Sequence, residues 1–156
     1  SSDVCSSDLA MIRVSTRGRY ALRAMVDLAQ HAGNGPISRQ EIAERQEISA
    51  DYLAQLFRRL QSAGLVKGVK GPGGGYRLGR DATLIRAGDV VRAAEGPVAV
   101  VHCALPCPDE GPSCSRLDHC TTHQLWKQVS EALTKVLDSV TLKDLCSQPE
   151  PFAQLE

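Results

Sequence analysis

Apolar positions recur at helical spacing in several segments of the chain and alternate with polar ones in another. In "STRGRYALRAMVDLAQHAG" (15–33), Leu22, Met25, Val26 and Ala29 fall on one helical face, with Ser/Thr at the start and Gly33 as the stop. "ISRQEIAERQEISADYLAQLFRRLQSAGL" predicts two short helices, 38–45 and 49–63, across a tight turn. Ser38 and Glu41 form a capping box, and Ile37 and Ile42 occupy the two staple positions around it. Ser49 repeats the device, with Ile48 before it and Leu53 four residues after. Ala43, Ile48, Leu53 and Leu56 supply the contact between the two helices, the layout of a helix–turn–helix.

After Gly64 the period changes from helical to alternating. "LVKGVKGPGGGYRLGR" predicts a β-hairpin carrying Lys67, Lys70, Arg77 and Arg80. Its glycines do not make a nucleotide loop, because a phosphate loop needs GK[ST] and a helix, whereas Tyr76 opens a strand. "AGDVVRAAEGP" (87–97) reads as a short helix ended by Gly96 and Pro97. "TTHQLWKQVSEALTKVLDSV" then places Leu125, Val129, Leu133, Val136 and Leu137 along about five helical turns. A further short helix starts at Thr141, and Cys146 within it reads as a small buried hydrophobe. The fold expected is mainly α with a small β-hairpin wing: a winged helix–turn–helix domain plus a long dimerisation helix. The apolar stripe of that helix calls for the same helix of a second subunit.

Charge divides the chain where the period does. Residues 11–80 hold 12 Lys and Arg against 5 Asp and Glu, and residues 81–156 hold 6 against 11, on a chain with no net charge. A basic first half points to a polyanion bound by that half alone. The second helix of the pair enters the major groove of double-stranded DNA, presenting Ser49, Asp51, Tyr52, Gln55, Arg58 and Arg59. Gln55 suits a paired contact to adenine, and Arg59 suits phosphate. Lys67, Lys70, Gly73, Gly74, Gly75, Tyr76 and Arg77 form a wing along the backbone or in the minor groove. Arg19 and Ser38 complete the DNA-binding set. A two-fold dimer implies a palindromic operator.

Other classes fall away on composition. No apolar run approaches the roughly 18 residues of a membrane span, so a cytoplasmic protein is expected. No nucleophile–base pair emerges, so neither an enzyme nor a small-molecule substrate is expected. The first ten residues, "SSDVCSSDLA", lack the basic and apolar regions of a signal peptide. They read as a non-native stretch fused upstream of a start at Met11, or as a disordered tail, and Cys5 is set aside with them. The remaining five cysteines are an odd number without a secretory signal, which argues for reduced thiols over a disulfide framework.

Those thiols gather in "CPDEGPSCSRLDHCTTHQLW" (107–126), with Cys103 just before it. Cys120 and His123 form a close pair at the start of the long helix, where free N–H groups favour thiolate. Six residues separate Cys107 from Cys114, and five separate Cys114 from Cys120. Such wide spacing in a Gly/Pro loop suits an object larger than one ion, such as a two-iron cluster, while zinc and a thiol switch stay open.

"VSTRGRYALRAM", "SADYLAQLFRRLQSAGLV", "GPGGGYRLG" and "CTTHQLW" together resemble the IscR-type iron–sulfur cluster regulators, from about Ile12 to Leu145. The resemblance implies a homodimeric winged-helix transcription regulator with a 2Fe–2S cluster on three cysteines and one histidine. Position by position it implies Cys107, Cys114, Cys120 and His123. The chain departs from the pattern in having one residue more between its first two cysteines, which leaves Cys103 as an alternative ligand. A His ligand makes the site less negative and ties its occupancy to pH. Such a labile site suits a sensor of iron–sulfur supply or of redox and nitrosative stress. The competing readings are a zinc- or thiol-based redox-sensing regulator and an iron–sulfur electron-transfer protein.

The organisation expected is a tail at 1–10 and a DNA-binding domain at 11–80. A connecting helix and segment follow at 81–102, then the cysteine loop at 103–120. A dimerisation helix and short C-terminal helix span 121–146, and a second tail spans 147–156.

Overall fold

A computed structural model describes residues 14–105 and 116–147. The stretch at 1–10, Cys107, Cys114 and the chain after 147 lie outside the described residues.

The fold is mainly α with one two-stranded antiparallel hairpin. Helix α1 (Thr16–Gln30) leads through a 3₁₀ turn (Ala32–Asn34) to α2 (Arg39–Gln46) and α3 (Ala50–Ser62). Strands β1 (Val66–Val69) and β2 (Gly75–Leu78) follow, then α4 (Ala87–Glu95), α5 (His123–Ser139) and α6 (Leu142–Ser147). The predicted caps form. Ser38 Oγ accepts from Glu41 N while Glu41 Oε2 accepts from Ser38 N, and Ser49 Oγ accepts from Tyr52 N. Ile37, Ile42, Ile48 and Leu53, the staple residues around both caps, are all buried. Glu47, at φ +53°, makes the left-handed corner between α2 and α3.

One core holds these elements. Met25 and Leu28 of α1 meet Ile42 of α2, Leu53, Phe57 and Leu60 of α3, Val90 and Ala94 of α4, and Leu142 of α6. The end of the described chain returns to this core through paired backbone bonds, Ala87 N to Val140 O and Leu142 N to Ile85 O.

Helix α1 differs from its expected face. Its buried apolar side chains are Ala21, Ala24, Met25 and Leu28, while Leu22, Val26 and Ala29 are half-buried. The reason is that α1 is central: α2, α3, α4 and α6 all pack on it, so no single face governs its burial. The helix also ends before Gly33, and Gly35 (φ +89°) supplies the positive-φ position instead.

Asp27 sits in this core at 1% exposure. Arg45 of α2 grips its carboxylate through Nη2 at 2.7 Å and Nε at 3.0 Å, and Gln46 Nε2 donates at 2.9 Å. Burial pushes the carboxyl up, but the Arg45 and Gln46 hydrogen bonds outweigh it and hold the group below its ordinary value of 3.8. Asp27 therefore stabilises the fold above that value and loses its contribution as pH falls further, through its lower folded value. Asp27→Asn is expected to cost about 2–3 kcal/mol in urea unfolding at pH 7, since it breaks a buried charged bond. The gap from wild type should narrow below pH 4. A gap independent of pH would show that the charge of Asp27 contributes nothing.

Candidate nucleic-acid interface and metal centre

The amphipathic pattern of α3 divides it cleanly. Leu53, Leu56, Phe57 and Leu60 are buried, while Asp51, Gln55, Arg58 and Arg59 are exposed. Ser49 caps this helix at the end expected to meet base edges. Two side chains in the expected DNA-facing set also bond within the protein. Tyr52 packs edge-on against Tyr20 of α1, with centroids 5.9 Å apart and planes at 86°. Arg59 Nη1 donates to the Ala94 carbonyl of α4 at 3.4 Å.

The hairpin pairs Lys67 directly with Arg77, and both are exposed. Like charges opposite each other across two strands repel, a cost that a bound polyanion relieves. Lys70 extends the same basic edge, and Gly73 lies exposed beside the turn. The other glycine-rich residues face inward. Tyr76 stacks on Phe57 with centroids 4.3 Å apart, and it exchanges backbone bonds with Ile37 (2.7 and 2.9 Å). Gly75 permits this approach, because a Cβ there would collide with the Ile37 carbonyl; Gly74 abuts the Val69 carbonyl in the same way. These residues lock the wing to the start of α2.

A cleft of about 500 Å³ lies between that start and the wing, lined by Ser38, Arg39, Gln40, Lys70 and Tyr76. Sequence reasoning missed Arg39 and Gln40. The signal for them was their place in the first turn after a capping box. Arg19 is exposed on the first turn of α1.

A second cavity, of about 860 Å³, opens between the end of α4 and α5. Cys103, Leu105, Leu117, His123, Lys127 and Ser130 contribute to its lining. His123 is the first residue of α5, and its Nδ1 is buried without a hydrogen-bond partner among the described residues. Cys120 stands just before that helix, its thiol held below the ordinary range. The causes are the Thr122 hydroxyl, 3.3 Å from Sγ, and then the N–H groups of Thr122 and His123. Cys103 and His123 thus share one cavity. Among the described residues no three His, Cys, Asp or Glu side chains stand close enough together to hold a metal ion, and Cys107 and Cys114 lie outside that count. Cys146 is half-buried between α6 and α1, where burial pushes its thiol up.

The 96–101 segment is tied to α5 by Ser130. Its hydroxyl accepts from Val100 N at 3.1 Å and donates to Trp126 O at 2.9 Å. Ser130 is the one buried residue of α5 among the described residues. The stripe predicted on that helix is open: Leu125 is 52%, Leu133 39% and Val136 40% exposed. No helix among the described residues is long and apolar enough to cross a membrane.

Comparison with known proteins agrees with this geometry. Residues 14–148 match the Rrf2 family profile, described as an iron-dependent transcriptional regulator. The HTH-type transcriptional regulator IscR of Klebsiella pneumoniae is 45% identical over 139 residues, covering 89% of this chain and 82% of the relative. Among solved structures, CymR, the global cysteine regulator of B. subtilis, aligns with a TM-score of 0.71 at 41% identity, covering 90% of this chain and all of that one. IscR of T. potens aligns at 0.70 and 41%, covering 92% of each chain.

The exposed cations of the wing should act on phosphate without regard to sequence. Lys67→Ala is expected to weaken duplex binding by a similar factor for every sequence and to lower the salt slope by about 1. Fluorescence anisotropy across a salt series measures it. An unchanged slope would remove Lys67 from the interface.

Proposed function

The chain belongs to the Rrf2 family of transcriptional regulators, and on that premise we propose that its DNA affinity follows the occupancy of a 2Fe–2S cluster. It is a DNA-binding transcription regulator and not an enzyme. The finer reading is a cytoplasmic homodimer on a palindromic operator. Residues 11–80 bind DNA, 81–102 connect, 103–120 hold the cluster and 121–146 dimerise, between tails at 1–10 and 147–156. The open stripe of α5 supports the dimer, because Leu125, Leu133 and Val136 stay 39–52% exposed in one subunit.

The observation that carries the cluster reading is His123 Nδ1. Among the described residues it has no partner; a buried ring nitrogen left so costs about 1–3 kcal/mol, which coordination of a bound group offsets. Cys120, already biased toward thiolate, stands three residues before it, as a metal ligand requires. The ligand set proposed is Cys107, Cys114, Cys120 and His123, with Cys103 the alternative from the same cavity as His123. Bound there, a 2Fe–2S cluster supplies a four-point crosslink that is lost under iron shortage or oxidant attack. The operator contacts proposed are Ser49, Asp51, Gln55 and Arg58 of α3, with Arg19, Ser38 and the wing cations on the backbone. Tyr52, Arg59, Gly74, Gly75 and Tyr76 join that set by holding α3 and the wing in place.

The stabilised thiolate of Cys120 also favours a second reading, in which thiol oxidation replaces cluster loss. Protein purified without oxygen separates the two. The cluster reading expects a visible absorption spectrum with near-equal iron and sulfide, abolished in Cys107→Ser and altered in His123→Ala while Cys103→Ser keeps it. Stoichiometric zinc, or no metal after attempted reconstitution, would leave the thiol reading. For the dimer, Leu133→Asp with Val136→Asp is expected to halve the mass in sedimentation; an unchanged mass would place the subunit contact elsewhere.

A further inference from the structure

The last turn of α4 carries polar bonds that reach across the fold. Glu95 ends α4, yet its Oε1 accepts from Gly18 N at 2.7 Å and from Ser15 Oγ at 2.5 Å, at the start of α1. Ser15, the formal cap of α1, holds its own Oγ 3.5 Å from the Gly18 N–H, so the carboxylate is the nearer acceptor. Helix α1 has no acidic residue in its first turn. Glu95 supplies from α4 the negative charge that a helix N-terminus favours. Gly18 makes room for it, since a Cβ there would collide with Oε1. One residue before Glu95, the Ala94 carbonyl accepts from Arg59 of α3.

On the other side of Glu95 the chain leaves the helix at Gly96 and lines the cavity with Pro97 and Val98. It is fixed again at Val100, whose N–H donates to buried Ser130 on α5. Cys103 follows three residues later. Residues 95–100 are thus a short strap fixed at both ends, by the Glu95 carboxylate on α1 and by the Val100 N–H on the helix that begins at His123. Five residue steps span at most about 17 Å, so little slack separates the two fixed ends.

We infer that Glu95 is the positioning residue through which the cysteine loop acts on the DNA-facing helices: its carboxylate holds the start of α1 to the strap, next to the Ala94 carbonyl that receives Arg59 of α3. This rests on the cluster reading above and names the route of its regulation. A change at the loop reaches operator contacts only as far as it favours one arrangement of α1 and α3 over another. Arg19 stands in the turn that Glu95 caps, and Arg58 stands beside Arg59.

The test uses the full chain, cluster-loaded and metal-free, with a duplex selected from random sequence by cluster-loaded wild type. The readout is the ratio of the two affinities, alongside the visible spectrum and the melting temperature. Wild type is expected to show a ratio of about fivefold or more. Glu95→Ala should bring the ratio within about twofold of one with the spectrum unchanged, and Glu95→Gln, which keeps an acceptor oxygen, should retain most of it. Gly18→Ala expels the carboxylate while favouring the helix, so it should also lose the ratio without loss of melting temperature. A ratio kept in both Glu95→Ala and Gly18→Ala would overturn the inference and leave the cluster reading intact. A wild-type ratio of one would overturn both.

Discussion

The union of α4 with α5 is the joint on which the arrangement depends. Arg92 grips Asp138 of α5 through Nη2 at 2.7 Å and Nη1 at 3.3 Å, while Nη2 also reaches Asp89 on its own helix at 3.1 Å. These charged bonds hold the long helix to a lobe in which it buries little apolar surface of its own. Because α4 also packs on α1 and α3, it links α5 to the lobe, as α6 does where it packs on α1. The cysteine loop joins the ends of α4 and α5. A sensor needs its signal and its response to share a mechanical path, and the proposed one runs along α4.

Much of this could be read along the chain because it is local. Caps at Ser38 and Ser49, the buried stripe of α3, the hairpin and the stripe of α5 arise from residues within a turn or two of each other. Their signals sit in adjacent letters. The face of α1 was harder, since α1 is wrapped by four helices and the apolar period marks only the strongest contact. Gly33 resembled a helix stop in sequence, but the chain had already left the helix and reserved its positive φ for Gly35.

Bonds between distant residues left no trace in the sequence. Nothing near Glu95 announces that it caps a helix 77 residues earlier, and nothing near Gly75 announces the Ile37 carbonyl behind it. The candidate DNA-facing set shows the same division. Asp51, Gln55 and Arg58 follow from helical periodicity, whereas Tyr52, Arg59 and Tyr76 have partners supplied by the tertiary fold. The candidate metal site divides similarly: Cys120 and His123 are linked by the start of α5, but the company of Cys103 in the His123 cavity comes from Val100 pinned to Ser130. Relatives include both the transcriptional regulator IscR and CymR, a global cysteine regulator, so the scaffold alone does not choose the sensor chemistry.

The most direct measurement follows one anaerobic sample of the full chain on its selected duplex, recording visible absorbance and DNA anisotropy together as an oxidant is added. The account predicts that anisotropy changes along the same time course as the loss of visible absorbance. Absorbance that disappears while anisotropy stays constant would contradict it.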